Sequence, residues 1–241
     1  MFLAKGQRVV SVKGRAVPEK IQFATGETIV PDNVPVVVLA NESSASAAEV
    51  VTGALSDNHR AQFIGTRTFG KGSVQQVLKL ENDQGAIKLT NAHYYLPSGR
   101  NIHRREGSDT WGVDPAEGSY VPMSPEEIRI MLERRYDGDK MVRPDQQVQS
   151  GDTTPASIGR DLADPQLAAG LSALLGDMSN GSWPEVGQKN AKALALAAKH
   201  DLLLRQRDFF RQRIVEVEGE LQRFDAMAAN PTTQPTTEPT E

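Results

Sequence analysis

The stretch VPVVVLANESSASAAEVVTGALSDNHRAQFIG, from Val34 to Gly65, decides the fold. It opens with the β-branched run VPVVVLA (Val34–Ala40), which has no polar face and is typical of a strand buried on both sides in a parallel sheet. A helical pattern follows, beginning at Ser43 or Ser44 and ending near Ser56. AQFIG then reads as a second buried strand. The stretch therefore predicts a strand–helix–strand unit of the α/β class.

The sequence on either side extends this unit. RVVSV and KIQFA, upstream, predict two short strands, while SVQQVLKL and AIKLTNAHYYL, separated by ENDQG, predict a hairpin. After about Trp111 the composition becomes helical. Ser124 and Glu127 have the spacing of a capping box at the start of one helix, and DPQLAAGLSALLGDM predicts another.

A long helix is predicted from about Val186 to Ala228, ahead of the Pro/Thr-rich end NPTTQPTTEPTE, which is typical of a disordered tail. Apolar residues recur along its later half at a spacing of seven, at Leu203, Phe210, Val217 and Phe224. Ile214 and Leu221 fill the second apolar position of the seven-residue repeat. His200 and Arg207 interrupt the pattern upstream. The helix could therefore pack on its own domain or form a dimer contact, and the pattern leaves both open.

Composition excludes some functions. The 241 residues carry a net charge of −4 without a basic stripe, which argues against a nucleic-acid partner. The absence of cysteine excludes disulfides and thiolate metal sites, and the Asp, Glu and His residues show no metal-ligand spacing, so no cofactor is expected. No apolar run approaches the roughly 18 residues of a membrane span, and MFLAKGQRVVSVKGR lacks the pattern of a signal peptide.

Ser46 is the first residue with a chemical interpretation. A serine in the first turn of a helix is most often only a cap. This one, however, follows a buried strand, at the carboxyl edge where α/β proteins place their sites. It also lies among unpaired helix N–H groups, which favour an oxyanion, and the N–H of Ala47 could face a substrate carbonyl. With Ser43 or Ser44 as the cap, Ser46 is a candidate nucleophile.

Lys71 is the candidate base. Most lysines are solvated surface charges, but Lys71 lies between two glycines and after Phe69, in TFGKGS. Glycines let the backbone turn a long side chain inward, and burial beside Phe69 would disfavour the ammonium form. If Lys71 begins a strand, Gln75 shares its face and could orient the amine, although a solvent-facing strand glutamine is the simpler interpretation.

The remaining polar groups fit less well. Asp57 lies eleven residues after Ser46, on the same side of the predicted helix but roughly 16 Å along its axis. We interpret it as structural, pairing with Arg60 or positioning the lysine loop. The four histidines show no pairing pattern with an acid, so a Ser-His-Asp triad fits poorly.

These residues resemble the core of the C-terminal processing peptidases, also called tail-specific proteases. The similarity lies in NESSASAAEVV, in FIGTRTFGKGSVQQV and, beyond the core, in TNAHYYLPSGRNI. The resemblance implies a crotonase/ClpP-like sheet-and-helix core with a nucleophile at Ser46, a base at Lys71, a supporting glutamine at Gln75 and a helix-end aspartate at Asp57. It also implies protein or peptide substrates with accessible C-termini and a periplasmic or cell-envelope location.

The chain departs from the family pattern at several points. Ser43 replaces a glycine and Ala48 replaces a serine. The exported N-terminal region, the PDZ domain and the Asp-Leu-Arg-x-Asn-x-Gly-Gly segment, which supplies an oxyanion-hole N–H, do not occur in this sequence. We therefore expect a C-terminal portion of such a protease, and a non-catalytic binding or assembly piece is the alternative. A crotonase-like acyl enzyme lacks support, because no second oxyanion loop or CoA-phosphate cradle is recognisable.

The sequence predicts a division into four parts. Residues 1–115 would form a partial catalytic core, and residues 116–180 a strand and helix region. Residues 181–228 would form the long helix, and residues 229–241 the disordered tail. If the chain forms a homo-oligomer, the long helix is where we expect its contacts, with packing on its own domain as the alternative.

Overall fold

The computed structural model describes residues 2–81, 84–138 and 153–229. These residues form six strands and five helices, a mixed α/β fold. The strands are β1 (Arg8–Lys13), β2 (Lys20–Phe23), β3 (Val37–Ala40), β4 (Gln62–Gly65), β5 (Ser73–Lys79) and β6 (Ala86–Tyr95). The helices are α1 (Ala47–Asp57), α2 (Pro125–Gly138), α3 (Pro155–Ser157, followed by a π-helical turn), α4 (Pro165–Asn180) and α5 (Ala191–Ala229).

The strands form two sheets. An antiparallel sheet has the order β2–β1–β6–β5, and its β5–β6 hairpin is the one that the sequence predicts. β3 and β4 pair in parallel, with Val37 opposite Gln62 and Ala40 opposite Gly65. Helix α1 connects these two strands, so Val34–Gly65 does form a strand–helix–strand unit.

The prediction that β3 is buried on both sides is wrong. The strand covers only Val37–Ala40; Ala40 is buried, but Leu39 is 37% exposed. β4, in contrast, buries Phe63 and Ile64 almost completely. The two strands form a two-stranded sheet, but the outer edge of β4 is covered by residues 116–121, where the Ala116 N–H donates to the Phe63 carbonyl and the Val121 N–H to the Gly65 carbonyl. Within the described residues, no strand pairs with the outer edge of β3. A continuous apolar run therefore marks an edge strand here.

The helical half begins as the sequence predicts. At the start of α2 the Ser124 N–H donates to Glu127 Oε2 at 2.7 Å, and the Glu127 N–H donates to Ser124 Oγ at 3.2 Å, which is a capping box. Helix α5, predicted from about Val186, begins instead at Ala191. Val186 and Gln188 cannot be helical, because their N–H groups donate to the carbonyls of Gly118 and Tyr120.

The core consists of separate clusters. The cluster around β4 contains Ala40, Phe63, Leu96, Ile102 and Val113. A second lies under α1, with Leu3, Ala54 and Leu55, and a third joins Tyr120 to Ala191 and Ala195. The first cluster lies beneath the edge of the β3–β4 pair from which the loops after the two strands emerge.

The chain divides into two compact units, residues 1–195 and 196–241. The four-part division remains a prediction, and its tail lies outside the described residues from residue 230 onward. Among the described helices, none has the length and apolar character required to cross a bilayer.

Candidate active site

The β3–β4 pair brings the serine loop and the lysine loop to one edge of the fold. Because the strands are parallel and end at the paired residues Ala40 and Gly65, the segments after them leave the same edge. The Thr66 N–H donates to the Ala40 carbonyl at 3.2 Å, which extends the pairing into the second loop. The two loops, which follow strand ends 25 residues apart in sequence, therefore start from neighbouring points.

Ser46 occupies the N-cap position of α1, and its backbone is strained. Its φ and ψ are 58° and −117°, a region that residues other than glycine rarely adopt. Ser46, rather than Ser43 or Ser44, is thus the residue at the cap, which corrects the expectation from sequence. Ser44 instead accepts a hydrogen bond from the Asn41 N–H at 3.1 Å, within the loop before the helix. Ser46 itself is half-buried.

Glu49, in the first turn of α1, connects the two loops. Its side chain is fully buried, and each carboxylate oxygen accepts two hydrogen bonds. Oε2 accepts from the Ser46 N–H at 2.9 Å and from the Lys71 N–H at 2.8 Å. Oε1 accepts from the Thr68 hydroxyl and from the Gly70 N–H, both at 2.6 Å.

The shared oxygen limits the distance between the two chemical residues. Because both contacts end on Glu49 Oε2, the backbone nitrogens of Ser46 and Lys71 cannot be further apart than the sum of 2.9 and 2.8 Å, about 5.7 Å. A second link lies alongside, since the Phe69 N–H donates to the Ser44 carbonyl at 3.0 Å. The serine and lysine loops are therefore held together by buried polar contacts.

The predicted burial of Lys71 is wrong. Its side chain is exposed, and Phe69 is 42% exposed. The Phe69 ring instead packs under the guanidinium of Arg104, which lies 4.8 Å from the ring centroid. The aromatic residue thus contributes a cation–π contact on the surface rather than an apolar enclosure for the amine.

The flanking glycines allow a close approach of two backbones. A Cβ atom on Gly72 would lie 2.6 Å from the His103 nitrogen, and one on Gly70 would lie 2.8 Å from the Trp111 ring. Gly70 also has a φ of +90°, which favours glycine. The glycines therefore fix the path of the lysine loop against the segment after β6, and do not turn the lysine inward.

Gln75 lies in the strand that follows the lysine loop, and Ala47 in the helix that follows the serine loop. Gln75 is exposed on β5, opposite Thr90. Since β5 begins at Ser73, Lys71 precedes the strand, and the argument that even spacing puts Lys71 and Gln75 on one face does not apply. Ala47 is the first residue of α1, where an N–H group has no acceptor within the helix.

Asp57 ends α1, far from Ser46, and its predicted partner Arg60 binds elsewhere. Asp57 Oδ2 accepts from the Ser98 N–H at 2.9 Å. Arg60 donates instead to main-chain carbonyls, among them Phe2 and Val34. A cavity of about 620 Å³ borders Asp57 and Arg60. It lies at the far end of α1 from the two loops, so this cavity is not the peptide cleft of the candidate site.

Two histidines pack behind the lysine loop. The rings of His93 and His103 lie 4.9 Å apart, and His93 is the β6 partner of Ser73. Burial lowers the pKa of His93 below its usual 6.5, and His103 and Arg105 lower it further. In the described ranges 2–81, 84–138 and 153–229, no cluster of three or more His, Asp or Glu side chains could hold a metal ion.

Sequence reasoning missed Glu49 and Thr68. The signal for Glu49 was available, because Ser46-x-x-Glu49 has the spacing of a capping box, in which the acidic side chain returns to the N-cap N–H. Glu49 does so, and the same carboxylate also accepts a hydrogen bond from the Lys71 N–H in the lysine loop. Thr68 gave no such signal, since its role depends on the path of a loop. Its hydroxyl donates to Glu49 and accepts from the Val113 N–H at 2.8 Å.

Comparisons with known proteins match this chain to proteases. Residues 1–116 match the sequence profile of Peptidase family S41. The carboxy-terminal-processing protease of Bartonella bacilliformis is 34% identical over 189 residues, which cover 76% of this chain and 41% of that protein. The chloroplastic carboxyl-terminal-processing peptidase 3 of Arabidopsis thaliana is 44% identical over 90 residues, 37% of this chain and 17% of that one.

Among solved structures, a photosystem II D1 C-terminal processing protease is 34% identical. It matches with a TM-score of 0.43 over 50% of this chain and 28% of its own. The chain spans about two fifths of the length of the Bartonella relative. Residues 1–116 are thus similar to Peptidase family S41, and the chain is similar to a part of the carboxy-terminal-processing proteases.

Proposed function

We propose that this chain carries the nucleophile and base of a serine-type endopeptidase of the tail-specific class, on a partial crotonase/ClpP-like core. The observation that carries the proposal is the shared Glu49 oxygen, which holds the backbones of Ser46 and Lys71 at most about 5.7 Å apart. The strained backbone of Ser46 supports it, since such conformations cluster at active sites.

In this mechanism the free amine of Lys71 takes the proton of the Ser46 hydroxyl while Oγ attacks the carbonyl carbon of a peptide bond. The Ala47 N–H stabilises the oxyanion of the tetrahedral intermediate. The C–N bond then breaks, and the lysine ammonium returns the proton to the leaving amine. Water hydrolyses the acyl-enzyme in the same way, with Lys71 again as base. Gln75 would orient the amine, and Asp57 would hold the far end of α1.

We propose protein substrates with accessible C-termini, and a periplasmic or cell-envelope location. The support comes from the names of the relatives, a carboxy-terminal-processing protease in a bacterium and a carboxyl-terminal-processing peptidase in a plant chloroplast. We also propose that the chain associates with itself through α5, whose exposed apolar residues have the required spacing.

A second candidate function is a non-catalytic binding or assembly piece derived from such a protease. The exposure of Lys71 favours it, because most exposed lysines are solvated surface charges without a catalytic role. For catalysis, the bound peptide would have to cover the amine and exclude water. The two candidates therefore differ in whether Ser46 is reactive.

Cleavage of an unstructured peptide separates the two candidates. The full chain is incubated with a peptide that has a free C-terminal carboxylate, and new C-termini are identified by mass spectrometry. A fluorophosphonate probe measures the reactivity of Ser46 independently of turnover. We expect both signals in the unchanged chain, and their loss to background in Ser46→Ala and in Lys71→Arg, which keeps the positive charge but cannot act as a base.

Lys79→Ala, a change of an exposed lysine at the end of β5, is the matched control and should retain both signals. Undiminished cleavage by the Ser46 or the Lys71 variant contradicts the assigned roles. Absence of both signals from the unchanged chain contradicts catalysis by this chain and favours the binding piece. A blocked C-terminal amide on the peptide tests whether the carboxylate is recognised.

A further inference from the structure

The second compact unit presents an apolar surface on one side of α5. The side chains that recur along the helix there are 41% to 68% exposed within the described residues. We call six of them the α5 seam: Leu203, Phe210, Ile214, Val217, Leu221 and Phe224. The seam extends over about 32 Å at the rise of an α-helix. Phe209 and Val215, also exposed, lie outside it.

The charged residues beside the seam are arranged in opposite signs. Arg211 and Arg213 flank its first half, and Glu218 and Glu220 flank its second half. These flanking positions therefore change from basic to acidic about a point between Val215 and Glu216. A helix with this distribution is complementary to a copy of itself that runs in the opposite direction.

We propose that two copies of this chain pair through the α5 seam with their helices antiparallel, centred between Val215 and Glu216. The proposal rests on the self-association proposed above, and adds its direction and register. Around this centre Ile214 of one copy packs beside Val217 of the other, and Leu221 beside Phe210. These are the spacings of a coiled-coil interface.

The antiparallel arrangement is favourable at the flanking positions. It places Arg211 of each copy beside Glu218 of the other, and Arg213 beside Glu220, which gives four attractive pairs by symmetry. Arg213 also donates to Glu216 of its own helix at 2.9 Å. Its guanidinium has five N–H donors, so this contact leaves donors for Glu220 of the second copy.

The parallel arrangement is unfavourable by the same criteria. It keeps one attractive combination, Arg213 with Glu218, but places Glu220 beside Asp225. It also puts Arg207 opposite Arg207 inside the seam, where two like charges would be desolvated. In the antiparallel arrangement Arg207 lies beside Phe224 of the other copy, which permits a cation–π contact. A second copy running antiparallel is therefore the occupant that the seam fits.

Self-association is tested by sedimentation of the full chain over a dilution series. We expect a dimer whose dissociation constant rises by about tenfold or more when Arg211→Glu and Arg213→Glu are combined. A chain with Glu218→Arg and Glu220→Arg should be weakened alone but should form mixed dimers with the first variant. The control, Arg205→Glu with Arg223→Glu, changes the net charge equally but lies away from the seam, and should dimerise normally.

Direction is tested by disulfide cross-linking, since the chain has no cysteine of its own. A mixture of Arg211→Cys and Glu218→Cys chains should cross-link under oxidation if the helices are antiparallel. A mixture of Arg213→Cys and Glu218→Cys chains should cross-link if they are parallel. A monomer at every concentration overturns the self-association; a dimer that cross-links only in the second mixture overturns the direction alone. Neither readout depends on peptidase activity.

Discussion

Glu49 is the residue on which the candidate site depends. Carboxylates are rarely buried unless every oxygen is paired, and this one accepts four hydrogen bonds from two loops. Three of the donors are main-chain N–H groups, whose positions do not depend on side-chain rotamers. The relative position of Ser46 and Lys71 is therefore set by backbone geometry.

We expect Glu49→Gln to lower the free energy of unfolding by about 2–4 kcal/mol, because hydrogen bonds to a charged group are the strong ones and the amide nitrogen would face N–H donors. Urea unfolding followed by circular dichroism measures the change. The exposed Glu106→Gln serves as control and should stay within about 0.5 kcal/mol of the unchanged chain. Equal stability of the two variants would show that Glu49 does not hold the loops.

For single residues, the sequence was more informative about which residues belong to the candidate site than about the burial and contacts of their side chains. That Ser46 and Lys71 lie on neighbouring loops could be predicted from their place after two strands. The exposure of Lys71 could not, because it depends on what packs against the loop, and Phe69 is engaged by Arg104. Asp57 likewise has a partner, Ser98, that is distant in sequence.

The hairpin β5–β6 supports the lysine loop through the histidine pair. His93 faces Lys13 across the β1–β6 pairing, Ser73 across the β5–β6 pairing, and the ring of His103. After burial, the groups that lower the pKa of His93 are His103 and then Arg105. Protonation of His93 is therefore opposed first by burial and then by its neighbours.

We expect the free energy of unfolding to fall as the pH is lowered from about 7 to 5. The pKa of His93 is lower in the folded protein than in the unfolded chain, where it is near 6.5. Its contribution to the free energy of unfolding is therefore complete above the pKa of the unfolded chain and is lost as the pH falls from there through the pKa of the folded protein. His93→Gln should reduce this fall in urea titrations at several pH values. His59→Asn, an exposed control whose positive φ asparagine tolerates, should leave the fall unchanged.

Whether a segment forms a helix or a strand was more predictable than the residues at which it begins and ends, or than its burial. Val34–Gly65 and the hairpin carry clear strand and helix signals, and both form the types of element that the sequence predicts. The start of α5 was missed because Val186 and Gln188 pair with a distant segment, and the burial of β3 was missed because it depends on a neighbouring strand. Both misses arise from tertiary contacts that local pattern does not encode.

At the scale of the molecule, the described apolar core is divided among small clusters rather than gathered in one. Phe63 and Ile64 are the largest side chains with almost no exposure, and Phe63 lies in the cluster beneath the loops. Comparable aromatic residues elsewhere, such as Phe23, remain half exposed. The stability of the first compact unit should therefore depend strongly on few residues.

We expect Phe63→Ala to cost about 3–5 kcal/mol in the free energy of unfolding, because it removes a fully buried ring and leaves a cavity. Phe23→Ala, the matched control on β2, should cost less than about 1 kcal/mol. Thermal and urea unfolding of both variants provide the comparison. A similar cost for the two would mean that the β4 cluster is not the main source of stability.

The four contacts of Glu49 have a consequence for the path of the proton. Each of its oxygens already receives two donors, so both lone pairs on each atom are occupied. Although it is the carboxylate nearest to Ser46 along the helix, it has no vacant acceptor site for a hydrogen that leaves the serine hydroxyl. A relay through this acid would first require the two loops to separate.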